Sequence, residues 1–184
     1  MSPHLLVDIS AHGFGHLAQA AAVVNELGRR LPGLQATVRA DLPEELVAER
    51  MAVPFQQQPE RLDPGMVMAD ALTVRPEASL AAYRDFHAGW ADRVAAEAGR
   101  IRDLAPDLVL ADVPYLSLAA AHRAGIPAAA LCSLDWGGVF ATYCGHLPGA
   151  GAVRDTINAA YAKAAVFLQP RPHMPMAELP NRRE

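Results

Sequence analysis

The chain is predicted to fold as an α/β domain, an open parallel sheet with helices on both faces. Short apolar runs alternate along it with longer segments of helical periodicity, which is the pattern of successive strand–helix units. Two apolar runs, 108–110 and 128–131, show no polar alternation, as expected of strands buried on both faces. At the N-terminus a strand, a glycine-rich turn and a helix follow one another, which is the opening unit of a Rossmann-like sheet.

Six strands and five helices are predicted from the periodicity of the apolar residues. The strands cover 5–9, 35–40, 53–57, 107–111, 128–132 and 165–168. The helices cover 17–31, 43–51, 76–104, 114–124 and 153–163. In the longest helix apolar residues recur at three- and four-residue steps, and His87 lies on that apolar face. We therefore predict His87 to be a packed, hydrogen-bonded core histidine.

The domain organisation follows from where this pattern stops. Residues 1–168 are predicted to form one Rossmann-like domain. Residues 169–184 contain four prolines, which neither a helix nor a central strand accommodates. This segment is predicted to be a proline-rich linker or tail leading towards a further domain.

Composition excludes several classes of function. The 184 residues are 52% hydrophobic and 20% charged, with a formal net charge of −4 and no cluster of basic residues, so nucleic-acid binding has little electrostatic support. The first apolar run is too short for a signal peptide, and no stretch is long enough to span a bilayer. Two cysteines are too few for a disulfide framework. We therefore expect a cytoplasmic protein.

The segment from His12 to His16 carries the first sign of chemistry. It joins the first strand to the first helix through Gly13, Phe14 and Gly15, so backbone N–H groups and a helix N-terminus face a ligand there. A phosphate-binding loop needs no histidine, yet two flank these glycines. The pairing indicates acid–base chemistry.

One alternative is a dinucleotide-binding loop. The residues Gly13, Gly15 and Ala18 satisfy the G-x-G-x-x-A pattern after a strand, and Asp41 stands where a ribose-binding carboxylate would. However, Asp41 and Glu44 also form a capping-box pattern for the next helix. An NAD(P)-binding domain of an oxidoreductase therefore remains an open alternative, although it leaves the two histidines without a role.

A metal site is a weaker interpretation of the same histidines. His12 and His16 have the i, i+4 spacing that ligates zinc on a helix, but the two glycines between them disfavour a helix. No third ligand follows at a recognisable spacing. We predict no metal.

A general base is the third interpretation. His16 would begin the first helix, and Asp112 directly follows the strand 107–111, so both are expected at the carboxyl edge of the sheet. A histidine oriented by a carboxylate can deprotonate a hydroxyl group. A helix-capping Asp112 and a solvent-facing His16 are the open alternative. Asp135 and Trp136 follow the next strand at the same edge and suit hydrogen bonding and stacking with a sugar, although Trp136 as a core residue is an equal alternative.

These residues together resemble a known family. The segment 11–16 resembles the glycine-rich loop in the N-terminal domain of GT-B glycosyltransferases, and His16 falls on the position of their loop histidine, the catalytic base in many plant members. The segment 107–112, with the alanine-rich helix after it, resembles the part that carries the partner aspartate. The resemblance implies a catalytic pair of His16 and Asp112.

A closer resemblance covers most of the chain. The segments 12–16, 69–74, 108–114 and 133–136 are similar, in this order, to the glycosyltransferase-like N-terminal domain of L-arabinokinases and related bacterial proteins. It implies that the loop faces an interdomain cleft. It also implies the following substrate-binding residues: His12, Gly13, Phe14, Gly15, Asp70, Asp135 and Trp136. Kinase activity is not implied, because the kinase domain is a separate unit.

The resemblance also implies what the chain would need in order to act. In GT-B enzymes a C-terminal domain holds most of the nucleotide-sugar donor, and the N-terminal domain binds the acceptor. We therefore expect the acceptor-side half of a hexosyltransferase-type enzyme, largely inactive alone and without a cofactor of its own. Its partners would be a small sugar or hydroxyl acceptor and a C-terminal domain or separately encoded chain. A non-catalytic sugar-sensing or regulatory domain is the other alternative.

Overall fold

A seven-stranded parallel sheet forms the centre of the computed structural model, which describes residues 2–184. The strands are β1 (His4–Ile9), β2 (Gln35–Arg39), β3 (Phe55–Gln58), β4 (Leu108–Asp112), β5 (Ala128–Leu131), β6 (Val166–Leu168) and β7 (Arg182–Arg183). Their order is β3-β2-β1-β4-β5-β6-β7, and every neighbouring pair is parallel. The predicted open parallel sheet is confirmed.

Seven helices within residues 2–184 connect these strands. They are α1 (Phe14–Arg30), α2 (Glu44–Arg50), α3 (Pro76–His87), α4 (Trp90–Leu104), α5 (Tyr115–Ala124), α6 (Trp136–Cys144) and α7 (Ala150–Tyr161). Among residues 2–184, no helix combines the length and the apolar character that crossing a membrane requires.

Two apolar clusters cover the two faces of the sheet. On β1 the side chains alternate, so Leu5, Val7 and Ile9 pack in the cluster that includes α1 and α2, whereas Leu6 packs in the cluster that includes α3 to α7. Helices therefore lie on both faces, as predicted. Since β1 connects through α1 to β2 on one side and pairs with β4 on the other, the strand order reverses between β1 and β4. Open α/β sheets bind ligands beyond the carboxyl ends of the strands at such a point.

The prediction of one continuous helix over 76–104 is wrong. It is two helices, α3 and α4, separated at Ala88 and Gly89. Gly89 has φ +64° and ψ +32°, a left-handed conformation that glycine adopts without steric cost. The apolar stripe continues across the break because both helices pack in the same cluster, which is why periodicity alone did not reveal the turn.

The segment after 168 corrects a second expectation. It was predicted to be a linker or tail, but Met176 and Leu179 are buried in the core, and β7 pairs with β6. The Met174 N–H also donates to the Ser133 carbonyl at 2.8 Å. The sheet therefore extends to residue 183. The prolines prevent a helix here, but they do not prevent an irregular segment from packing against the core.

Two local expectations around the sheet edge also differ. The helix α6 was not predicted, because it follows its strand after only a short turn that was interpreted as a ligand loop. Asp41 does not cap α2: Pro43 occupies the N-cap without a side-chain hydrogen bond, and Asp41 is exposed. The capping interpretation of Asp41 is therefore wrong.

An ion cluster that no sequence pattern indicated lies on the α4 face of the sheet. The fully buried Arg39 guanidinium donates through Nε to Oδ1 of Asp8 at 2.7 Å, and it also contacts Glu97. The negative charges of Asp8 and Glu97 raise the pKa of Arg39 against the effect of burial. The three side chains join β1, β2 and α4.

Candidate active site at the carboxyl edge of the sheet

A buried histidine–aspartate pair lies at the reversal point of the sheet. Nδ1 of His16, in the first turn of α1, is 2.9 Å from Oδ1 of Asp112, the last residue of β4. His16 is 6% exposed and Asp112 is fully buried. The Ser10 N–H donates to the Asp112 carbonyl at 2.8 Å, which fixes the end of β1 beside the end of β4. The two residues that the sequence predicted as a pair are therefore in contact.

The hydrogen bonding of this pair defines its protonation pattern. Because a carboxylate only accepts, we assign the proton between them to Nδ1 of His16, and Nε2 hydrogen-bonds to no residue of the described chain. The second oxygen of Asp112, Oδ2, is buried and has no hydrogen-bond partner among residues 2–184. Burial raises the pKa of Asp112, while the hydrogen bond from His16 opposes the rise. The arrangement matches a base held by an orienting carboxylate.

Cys132, which follows β5, completes a three-residue cluster. Its Sγ is 3.6 Å from Nδ1 of His16, and the donor atoms of His16, Asp112 and Cys132 all lie within 4.8 Å of one another. These are the residues that could hold a metal. Burial and the nearby Asp112 charge raise the pKa of the Cys132 thiol, so the thiol is neutral in this hydrogen-bonded cluster.

A second histidine–carboxylate cluster stands beside the first. The His12 and Trp136 rings meet edge to face with centroids 5.4 Å apart, and the Trp136 ring is 6.4 Å from that of His16. Nε1 of Trp136 donates to Oδ2 of Asp63 at 2.9 Å, and Nε2 of His12 lies 3.5 Å from Oδ1 of Asp63. The indole therefore packs against His12 and lies close to His16.

The predicted residue His12 is held in its neutral form. Arg61 donates to Nε2 of His12 at 2.8 Å, which requires a lone pair on that nitrogen. Burial lowers the pKa of His12 and the positive Arg61 lowers it further, whereas Asp63 raises it. At neutral pH this ring can exchange hydrogen bonds without carrying charge.

A cleft of about 490 Å³ opens beside these rings. It is lined by Ala11, His12, Gly13, Met66, Met68, Val74, Trp136 and Tyr143. Phe14, which follows the lining residue Gly13 at the start of α1, is a large apolar side chain that is 63% exposed. The cleft combines apolar walls with a few polar groups, which is typical of small-molecule sites.

The predicted glycines shape the entry to α1. Gly13 is the N-cap of α1 with φ +96°, a conformation that side chains disfavour. Gly15 is exposed in the first turn of that helix, and a Cβ there would meet nothing within 4 Å. Only Gly13 therefore has a conformational reason to be glycine.

Two predicted carboxylates have their own local partners. Oδ1 of Asp70 accepts the N–H groups of Leu72 and Thr73, both at 2.9 Å, and these bonds lower its pKa. Asp135 caps α6 by accepting the Gly138 N–H at 2.7 Å, while burial raises its pKa. Asp135 borders a separate cavity of about 270 Å³ against the chain end. Neither carboxylate joins the His16 or the His12 cluster.

Sequence reasoning missed Asp63, Arg61 and Cys132. Asp63 precedes Pro64 and Gly65, a combination typical of turns, so its carboxylate carried no separate signal. The loop 59–75 that carries it comes to the site from β3, at the far side of the sheet. Only the tertiary fold brings it there.

Comparison with known proteins agrees with this architecture. No protein-family model matches the chain. L-arabinokinase from Arabidopsis thaliana is 29% identical over 137 residues, which cover 73% of this chain and 13% of that protein. The chain thus spans a small part of the curated relative that it matches.

Two solved structures are similar in fold. Phytolacca americana UGT2, complexed with UDP-2-fluoro-glucose and pterostilbene, aligns with a TM-score of 0.55 at 10% identity, over 100% of this chain and 53% of that one. UDP-GlcNAc 2-epimerase from Neisseria meningitidis, bound to UDP-GlcNAc, aligns with a TM-score of 0.53 at 12% identity, over 91% and 40%. At such identities the likeness concerns the fold alone. The chain has a Rossmann-like α/β fold similar to that of about half of each of these two proteins.

Proposed function

We propose that this chain is the acceptor-side half of a glycosyltransferase, with His16 as the general base and Asp112 as the carboxylate that orients it. The observation that carries the proposal is the buried 2.9 Å contact between Nδ1 of His16 and Oδ1 of Asp112. It leaves Nε2 as the atom that receives a proton. A base in this position deprotonates a hydroxyl group of an acceptor bound in the adjoining cleft.

The proposed reaction is a single displacement at the sugar C1 atom. Nε2 of His16 takes the proton of the acceptor hydroxyl while the acceptor oxygen forms a bond to C1. The bond between C1 and the phosphate oxygen breaks, and the nucleoside diphosphate leaves with the electron pair. Asp112 stabilises the resulting imidazolium. Such a base contributes a factor of about 10² to 10⁴ in rate.

The donor is proposed to bind in the cleft between this chain and a second domain. The matched UGT2 structure contains a UDP-sugar analogue, and this chain corresponds to about half of that protein, 53%. No cofactor is proposed for this half itself. The second domain would belong to the same polypeptide or to a separately encoded partner, and the isolated half would have little activity.

The acceptor is proposed to contact the walls of the 490 Å³ cleft. His12, Gly13 and Trp136 line it. Phe14 and Gly15 stand exposed in the next turn. Asp70 and Asp135 are proposed only as outer contacts, because their carboxylates already accept local N–H groups.

The experiment is a His16→Ala substitution in the protein assembled with its donor-binding half. UDP release is followed with UDP-glucose, UDP-galactose and UDP-GlcNAc in the presence of a panel of sugar and phenolic acceptors. We expect kcat to fall by about 10² to 10⁴ with the free energy of unfolding preserved. His122→Ala, at an exposed position of α5, is the matched control. Product with inverted configuration at C1 supports a single displacement, and unchanged turnover in His16→Ala overturns the base assignment.

The fold is shared with an epimerase, so transfer needs its own test. The same assay run without an acceptor distinguishes the two, because an epimerase converts the nucleotide-sugar without forming a glycoside. Net conversion of UDP-GlcNAc in the absence of acceptor would favour epimerisation over transfer.

A dinucleotide site is the second candidate, and the position of Asp41 favours it. Asp41 is exposed after β2, where its carboxylate is free of the helix cap that was expected. Titration of the chain with NAD and NADP decides the question, since micromolar binding would favour an oxidoreductase domain. Weak monosaccharide binding without nucleotide dependence would instead favour the sugar-sensing alternative.

A further inference from the structure

We propose that Asp63 is a positioning residue of this site: it holds the Trp136 indole and the glycine-rich loop in place beside His16. The inference extends the proposed function, on which its effect on turnover rests. Its structural basis does not depend on which reaction the site performs.

Both carboxylate oxygens of Asp63 are used by residues of other segments. Oδ2 accepts the Trp136 indole N–H at 2.9 Å, and Oδ1 accepts the Ser10 hydroxyl at 3.1 Å. His12 lies 3.5 Å from the same Oδ1. Asp63 is 2% exposed. The side chain therefore joins the end of β1, the start of α6 and the loop 59–75, although an aspartate before Pro-Gly ordinarily bonds within its own turn.

Trp136 is held at both ends. Besides the indole contact with Asp63, its backbone N–H donates to the Tyr161 hydroxyl at 3.2 Å. That hydroxyl donates to the Val113 carbonyl at 2.8 Å, next to Asp112. Asp63 thus fixes the indole N–H, and the Tyr161 hydroxyl fixes the backbone of Trp136 beside the end of β4.

The carboxylate of Asp63 also affects the pKa of His12. The charged or titratable groups that face it are Asp63, Arg61 and His16. The backbone of the loop approaches the ring closely, since a Cβ built at Gly65 would lie 1.8 Å from Nε2 of His12. Removal of the Asp63 charge leaves the positive Arg61 unopposed beside His12. Protonation of His12 then becomes less favourable.

The test compares Asp63→Ala with Asp63→Asn by NMR of the 184-residue chain, with the Trp136 indole resonance assigned through Trp136→Phe. In Asp63→Ala we expect the indole proton to move upfield and to exchange with solvent about tenfold faster. In Asp63→Asn the amide oxygen can accept the same bond, so the indole proton should retain its protection. In both variants the pKa of His12 should fall further.

Two controls separate positioning from general destabilisation. Asp155→Asn removes a carboxylate that is 76% exposed on α7 and should leave both signals unchanged. Ser10→Ala removes one donor to Asp63 and should leave the indole resonance in place. An unchanged indole proton in Asp63→Ala, or an unchanged His12 pKa in both Asp63 variants, overturns the proposal.

Turnover provides an independent readout in the protein assembled with its donor-binding half. Asp63→Ala should raise the acceptor KM about tenfold, and kcat should fall far less than in His16→Ala. An acceptor KM equal to that of the parent protein contradicts positioning of the acceptor wall. If His16→Ala itself leaves turnover unchanged, the proposed function fails while the NMR signals still decide the role of Asp63.

Discussion

Two buried aspartates stand on neighbouring strands and differ in how their oxygens are used. Asp8 on β1 pairs in register with Ala111, one residue before Asp112 on β4. Both oxygens of Asp8 accept from the Arg39 guanidinium. In Asp112 one oxygen contacts His16 and the other has no partner among residues 2–184.

This difference distinguishes a carboxylate that stabilises the fold, Asp8, from one that is free to take part in a reaction, Asp112. A buried carboxylate paired with a guanidinium in a two-bond contact has its hydrogen-bonding capacity largely used within the fold. A buried carboxylate with an unsatisfied oxygen costs stability, and such groups concentrate where a reaction or a ligand uses them. Arg39 therefore belongs to the framework of the sheet, and Asp112 to the candidate active site.

The largest effect is expected from Asp112→Asn. An amide there supports either tautomer of His16, so we expect turnover of the assembled enzyme to fall by about 10² to 10⁴. The free energy of unfolding should change by only about 1 kcal/mol, because the amide oxygen can accept the same hydrogen bond from Nδ1 of His16. The ¹⁵N chemical shifts of His16 report the tautomer in the 184-residue chain. If both the ¹⁵N shifts and the turnover were unchanged, Asp112 would be a purely structural carboxylate like Asp8.

The reverse pattern is expected from Arg39→Met. This change leaves Asp8 buried without its cation and leaves Glu97 with the half-exposed Arg100, whose Nη1 is 3.2 Å from Oε2. The free energy of unfolding should fall by about 3 to 5 kcal/mol. Urea denaturation measures the loss. Arg29→Met is the matched control, because Arg29 is 71% exposed and its surface pair with Glu26 should contribute far less to stability. A loss no larger than that of the control would mean that the Arg39 cluster does not support the sheet.

His87 extends the comparison to a partly buried polar pair that carries no charge. Its Nε2 lies 2.8 Å from the Tyr115 hydroxyl, and burial lowers the pKa of His87 to about 4. The unfolded chain binds the proton near pH 6.5, so stability should be lost as the pH falls from about 6.5 towards 4. Because the ring is part exposed, we expect about 1 to 2 kcal/mol. Denaturation curves of His87→Asn should show a flatter pH dependence; a slope equal to that of the parent chain would contradict the assignment.

The smallest effect is expected away from both aspartates, at Gly89→Ala. The positive φ of Gly89 disfavours a side chain, although a Cβ there would meet nothing within 4 Å. We expect a loss of about 1 kcal/mol from the conformation alone. Gly99→Ala, in the interior of α4, is the comparison and should be neutral or stabilising. Equal effects at the two positions would indicate that the turn between α3 and α4 carries no conformational strain.

Local pattern predicted the parts of the site that lie next to strand ends. His16 and Asp112 follow apolar runs that are unmistakable strands, and parallel strands bring their carboxyl ends to one edge. Trp136 was placed at the same edge for the same reason. Asp63 and Arg61 lie in an irregular loop after β3, where no periodicity exists to place a side chain. Asp41 was misjudged as a cap because its capping-box pattern fits a helix start two residues before the N-cap at Pro43.

The sequence by itself determined the alternation of strands and helices, and with it the parallel sheet and the placement of His16 and Asp112 at its carboxyl edge. These follow from local periodicity and from chain connectivity, which short segments already contain. Only the tertiary structure decided the break between α3 and α4, the return of residues 169–184 to the sheet, the Arg39 cluster and the arrival of Asp63 at Trp136. Those contacts join segments far apart in the chain, and their selection depends on packing and on the pairing of buried charge, which no local pattern records.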